Sequence, residues 1–189
     1  LGIAGESEFT GKGVSYCVTC DGPLFKDKKV AVIGGGNAGL EAALDLLNYA
    51  SQIYLLEFLS QLTADESLQE RVKNSSQINV LTNAAVKEIK GGQLVESLVY
   101  QERSSGQHRE IAVQGIFVEI GTTANSFLVK DVLELNREGE IKIDAQNRTS
   151  VKNIFAAGDV TDVSGKQIVV AAGEGAKAAL SAYQYLCHR

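Results

Sequence analysis

"KKVAVIGGGNAGLEAAL", residues 28–44, decides the fold. Its first part, Val30 to Ile33, is a short β-branched apolar run, the pattern of a parallel strand buried on both faces. Its last part begins a helix, with Leu40, Ala43, Leu44 and, just beyond, Leu47 at helical spacing and good helix formers between them. Between the two, Gly34, Gly36 and Gly39 satisfy G-x-G-x-x-G. That pattern carries weight only after a strand and before a helix, which is its context here. The first glycine permits the tight turn, the second lets backbone approach a pyrophosphate, and the third lets helix pack on strand. The helix N-terminus then receives the phosphate charge, which makes Gly34, Gly36, Asn37, Ala38 and Gly39 candidate cofactor-binding residues. The competing reading is a glycine-rich turn with no ligand.

Working outward, "QIYLLEF" (52–58) reads as a second strand, "DESLQERVKN" as a second helix with an acidic first turn, and "INVLT" (78–82) as a third strand. From Ala84 the texture changes to apolar–polar alternation around turn signals, an antiparallel meander that ends on a further strand, "GIFVEIG". The expected class is α/β: a Rossmann-like NAD(P)-binding domain with a parallel sheet plus a β-meander, over residues 17–121. Residues 1–16 read as a linker. A second block, 122–189, offers two short strands in "GEIKIDAQNRTSVKNIFAAGD" and a terminal helix in "VVAAGEGAKAALSAYQYL", too few elements for a closed core.

Composition narrows the function classes. The chain has 189 residues, 44% hydrophobic and 22% charged, which is ordinary globular composition. A net charge of −5 argues against a nucleic-acid binder, and no apolar run is long enough to cross a bilayer. A soluble cytoplasmic protein is the expectation. There is no Met, so the chain reads as a piece of a longer one.

Glu57 closes the second strand near the ~20-residue offset of the acid that holds a ribose 2′-hydroxyl. No Lys or Arg occurs between Gly34 and Glu70 to clasp a 2′-phosphate, so NADH rather than NADPH is expected. Gly121 completes this set of candidate cofactor-binding residues.

"VSYCVTCDGP" (14–23) holds Cys17 and Cys20 with Asp21 directly behind. Zinc usually needs four ligands, and no second cysteine pair exists, with His108 and His188 isolated; no metal site is expected. A structural bridge would close too short a loop to stabilise much. A redox dithiol needs this spacing, one thiol of lowered pKa and a neighbouring acid or base. The spacing favours the last reading and leaves the others open. Cys187 reads as incidental.

"YCVTCDGP" followed closely by "VAVIGGGNAGLEAAL", with "TSVKNIFAAGDVTD" and "KQIVVAAGEGAKAAL" later, resembles the low-molecular-weight thioredoxin reductase family. "LEFLSQLTADESLQERV" is similar to a relative within it, the flavoprotein component of alkyl hydroperoxide reductase, which uses NADH. The resemblance covers essentially the whole chain. It implies FAD and NADH as cofactors, a thioredoxin-like or peroxiredoxin-type disulfide protein as partner, and a homodimer for the full-length enzyme. It also implies Cys20 as the thiol facing the flavin, Cys17 as the interchange thiol and Asp21 as the acid/base. Gly158 and Asp159 resemble residues at the flavin ribityl and pyrophosphate, and Lys166, Gln167 and Ile168 the stretch touching the isoalloxazine. Ala124 departs from the Pro often found there. The family's first half of the FAD domain has no counterpart here, so residues 122–189 correspond to the second half, with an apolar face expected to lie exposed.

Overall fold

β2 (Lys29–Ile33) shows why the glycine stretch decides the architecture. Val30 and Val32 point to one face of a sheet and Ala31 and Ile33 to the other, and all four are buried. Such a strand needs cover on both sides. The computed structural model, which describes residues 1–187, supplies it. The elements of the first unit are α1 (Glu6–Phe9), β1 (Val14–Ser15), α2 (Val18–Asp21), β2, α3 (Asn37–Leu46), β3 (Gln52–Leu56), α4 (Glu66–Lys73), β4 (Ile78–Leu81), β5 (Ala84–Gly91), β6 (Val95–Glu102), β7 (His108–Ala112) and β8 (Gly115–Val118).

Five strands form a parallel sheet in the order β1-β8-β2-β3-β4. Leu40, Ala43 and Leu46 of α3 and Val72 of α4 pack with Val30, Val32, Ile53, Leu55 and Phe117 on one face. The opposite face, with Ala31, Ile33, Leu56, Ile116 and Val118, is covered by the antiparallel sheet β5-β6-β7 through Ala84, Ile89, Leu98 and Tyr100. Each large side chain so buried stabilises by about 1.5–3 kcal/mol. The α/β class, with its parallel sheet and meander, is therefore as the sequence predicts.

Residues 1–16 do more than link. Phe9 and Val14 are buried in the meander-side core, Val14 and Ser15 pair with Ile116 and Phe117, and the Ile89 N–H donates to the Ala4 carbonyl at 3.0 Å. Glycines and polar residues suggested slack chain, but two large apolar side chains in "EFTGKGVS" require burial, and the free edge of β8 accepts a strand.

The chain divides at Gly121/Thr122. In the second unit the terminal helix, α5 (Ile168–Cys187), forms as predicted, but the two short strands do not. Among its described residues only single bridges occur: Leu135 with Ile141, Ile141 with Thr161, and Arg148 with Phe155. Asn147 (φ 59°) and Asn153 (φ 72°) turn the chain left-handed inside the stretch read as strands, which breaks any ladder. Buried polar groups hold these loops instead. The Asn147 amide donates to the Ala156 carbonyl at 3.0 Å and to the Glu174 carboxylate at 2.6 Å. Cys187 is exposed, and His188 lies outside the described residues.

Candidate functional site

A cleft of about 610 Å³ opens at the carboxyl ends of the parallel strands, where open α/β sheets bind ligands. Its floor is the turn between β2 and α3. Gly34 has φ +129° and lies so close to β8 that a Cβ would strike the Glu119 carbonyl. A Cβ on Gly39 would strike the Gly34 carbonyl. Both glycines are therefore required by the protein's packing on itself. Gly36 is different: the nearest atom to a Cβ would be Thr63 Oγ1, at 3.7 Å. The room beside Gly36 belongs to the cleft. α3 begins there with Gly36 as N-cap and no side-chain capping bond, so its first N–H groups are available to an anion.

Gly34, Gly36, Asn37, Ala38, Glu57 and Gly121 all line this cleft, and Gly39 sits behind it as a packing residue. The Asn37 side chain is occupied elsewhere: its amide donates to Asp65 Oδ2 and its oxygen accepts the Asp65 N–H, both at 2.9 Å. What Asn37 offers a ligand is backbone. Glu57, at the end of β3, is 8% exposed. Its Oε2 accepts the Gly35 N–H at 2.5 Å and its Oε1 the Leu59 N–H at 2.7 Å. These bonds fix the carboxylate, and each oxygen keeps a second lone pair for a ligand hydroxyl. An uncapped helix start, room where a Cβ would stand and a fixed carboxylate together fit a dinucleotide.

Two cleft residues, and a third that packs on the lining residue Phe58, escaped the sequence reading. Glu119 follows β8 and lines the cleft, and burial pushes its carboxyl group up to about 7. Lys87 lines it from β5, at a register shift between Val86 and Glu88 that marks a β-bulge. Arg103, from the turn after β6, stacks its guanidinium 4.0 Å from the Phe58 ring centroid and donates to the Phe58 carbonyl at 2.8 Å. A window in sequence free of Lys and Arg thus has a cation beside it in space. The meander that brings Arg103 there is a long-range arrangement with no local signature.

Cys17 and Cys20 are joined as a disulfide. Cys17 follows β1 at the same end of the parallel sheet as the cleft, and its sulfur caps α2 by accepting the Cys20 N–H at 3.2 Å. Cys20 is exposed and Cys17 partly buried. Asp21 is held by a residue the sequence reading passed over: Ser15, 5% exposed, donates from Oγ to Asp21 Oδ2 at 2.7 Å. The same Oγ accepts the Cys17 N–H at 3.1 Å, so one hydroxyl ties the acid to the disulfide turn.

In the second unit, Asp159 and Lys166 line a separate cavity of about 440 Å³ with Asn125, Glu138 and Glu140. The Lys166 ammonium pairs with Glu140 at 2.9 Å and donates to the carbonyls of Asp159 and Thr161. Its hydrogen bond holds the Glu140 carboxyl group below the usual range. Gly158 takes φ +80° just before Asp159. Ile168 starts α5, with Gln167 just before it; both lie outside that cavity's lining, and Ile168 is 89% exposed.

The chain is similar to known proteins in sequence and in fold. Residues 1–175 match the family described as pyridine nucleotide-disulphide oxidoreductase. The chain is 50% identical to the F component of alkyl hydroperoxide reductase from Pseudomonas putida over 187 residues, 98% of this chain and 36% of that protein. It is 49% identical to the counterpart from Escherichia coli (strain K12), again over 98% of this chain and 36% of the relative. It thus spans about a third of the length of these curated relatives. Among solved structures, thioredoxin reductase from Streptococcus pyogenes superposes with TM-score 0.94 at 35% identity, covering 100% of this chain and 62% of that one. Over residues 1–175, a span that holds both the disulfide after β1 and the glycine turn, the chain belongs to the pyridine nucleotide-disulphide oxidoreductase family.

Proposed function

We propose that this chain is part of an NADH-dependent flavin disulfide reductase. Electrons pass from NADH through FAD to the Cys17–Cys20 disulfide, and on to a disulfide of a thioredoxin-like or peroxiredoxin-type partner. The observation that carries the reading is that one parallel sheet presents, at one end, both a dinucleotide cleft and a disulfide with a held carboxylate. Residues 17–121 are the nucleotide domain, and 122–189 the C-terminal part of an FAD-binding domain. Gly158, Asp159, Lys166, Gln167 and Ile168 are its flavin-side residues, and the whole protein is a cytoplasmic homodimer. Among the described residues no helix is long and apolar enough to cross a membrane.

A bound flavin would supply the hydride-accepting and electron-pair-donating chemistry. This chain's residues do the rest. Gly36 and the start of α3 hold the pyrophosphate, and Glu57 accepts from the adenosine ribose. Once Cys17 and Cys20 are reduced, the Cys17 thiolate attacks the partner disulfide. A mixed disulfide forms and the partner's leaving thiolate takes a proton; Cys20 then resolves the intermediate and the internal disulfide is restored. Asp21, oriented by Ser15, moves the protons. A 2′-phosphate at Glu57 would face a fixed carboxylate, which supports NADH over NADPH.

A second reading has a specific observation behind it. In the second unit Ile168, Leu128 and Val169 are 89%, 78% and 77% exposed, so a flavin seat built of these residues alone lacks apolar cover. On that reading the chain binds NAD(H) without turnover. A purified preparation showing a flavin absorption band bleached by NADH supports the reductase; a colourless one that still binds NADH supports the alternative. For the nucleotide choice, NADH binds the chain at least about tenfold more tightly than NADPH; equal or tighter NADPH binding overturns it.

A further inference from the structure

Four strands set the order of groups along the mouth of the sheet. From β1 through β8 and β2 to β3, their carboxyl ends lead to Cys17, Glu119, Gly34 and Glu57. The register makes this literal: Ser15 pairs with Phe117, Val118 with Ile33, and Ile33 with Leu56. A dinucleotide with its adenosine ribose at Glu57 and its pyrophosphate at Gly34–Ala38 has one way to continue. It must run over β8, toward the strand that carries the disulfide.

We propose that Glu119 is a positioning residue for the nicotinamide-side half of the dinucleotide, its carboxyl group hydrogen-bonding a ribose hydroxyl or the carboxamide N–H of that half. The inference rests on the reading of the cleft as an NAD(H) site. Glu119 lines the cleft, and its backbone N–H donates to the Ile33 carbonyl at 2.8 Å, which fixes it beside the glycine turn. The fold makes no use of the carboxyl group: among the described residues it has no hydrogen-bond or ion-pair partner. Burial alone acts on it, raising it to about 7. The other charged side chains lining the cleft, Glu57 from β3 and Lys87 from β5, do not contribute to that shift. A carboxyl group left desolvated and unpaired in a cleft marks a group that meets its partner on the ligand.

The test is calorimetric titration of the full chain with AMP, ADP-ribose and NADH, for the wild type, Glu119→Ala and Glu119→Gln. The Ala variant is expected to lose about tenfold in NADH affinity while AMP, which reaches only the Glu57 end, stays within about twofold. Gln keeps the size and an acceptor and should restore NADH binding to within about threefold of the wild type. If ADP-ribose weakens along with NADH the contact is to the ribose; if only NADH weakens it is to the carboxamide. Unchanged NADH binding by Glu119→Ala overturns the inference. So does an equal loss for AMP and NADH, which would mean a purely structural role. Failure of the wild type to bind any of the three removes the nucleotide reading itself, and the inference with it.

Discussion

Glu119 also imposes a stability cost that depends on pH, and the perturbation that exposes it is Glu119→Gln. Burial raises the carboxyl group from its ordinary 4.5 to about 7 in the folded chain. Below 4.5 both states hold the proton and nothing differs. Between 4.5 and 7 the unfolded chain has released its proton while the folded chain retains it, so stability falls as pH rises. Above 7 both are ionised and the full loss persists, at most about 3.5 kcal/mol from the linkage of roughly 1.4 kcal/mol per pH unit, and less because solvent screens this half-buried group. Most of this, about 2 kcal/mol, accrues between pH 5 and pH 8. Gln does not titrate, so the variant should be the more stable protein by a margin that widens with pH across that window. Urea unfolding at several pH values measures the margin. Hydrogen exchange at Val32 and Phe117, both fully buried in central strands, separates the first unit's transition from the second's. Parallel pH profiles for the two proteins would refute the reasoning, because every other titrating group is common to both.

The glycine turn predicts a contrast between two identical substitutions. Gly36→Ala should fold as the wild type does, since only Thr63 Oγ1 stands within reach at 3.7 Å, yet bind AMP and NADH at least about tenfold more weakly. Gly39→Ala should lose about 2 kcal/mol or more in thermal or urea unfolding despite Ala's better helix propensity, because its Cβ meets the rigid Gly34 carbonyl. Ser15→Ala should slow reduction of a model disulfide by the reduced chain about tenfold and alter its pH profile, with Ser15→Thr recovering much of the rate. An unaltered profile would remove Asp21 from the proton transfers.

What was legible in the sequence follows the range of the interactions that encode it. The strand–glycine–helix unit is written locally: Val30 to Ile33 are apolar on both faces, and Gly34 and Gly39 sit where backbone meets backbone. Glu57 was legible because its offset from the glycines is fixed by the length of one βαβ unit. Arg103 was not, because it arrives from a turn far beyond Glu57 in the chain, carried by a meander whose register no local pattern announces. Ser15 was hidden by its ordinariness. It matters only because β1 pairs with β8 and buries its hydroxyl against Asp21. In the second unit, "GEIKIDAQNRTSVKNIFAAGD" read as two short strands, while the left-handed Asn147 and Asn153 within it decided for loops.

The groups that were missed share one property: each is placed by β8 or by the sheet that packs behind it. β8 is the last strand of the first unit in sequence but the second in space, inserted between β1 and β2. That insertion carries Glu119 to the middle of the mouth and gives β1, otherwise two residues in an apparent linker, an edge to bind. It also sets the distance, counted in strands, between the glycine turn and Glu57 at β2 and β3 and the disulfide at β1. A local reading could find the cofactor turn and the cysteine pair separately. Their relation is set by the one strand that lies between β1 and β2, and so the residue at that strand's end, Glu119, stands between them.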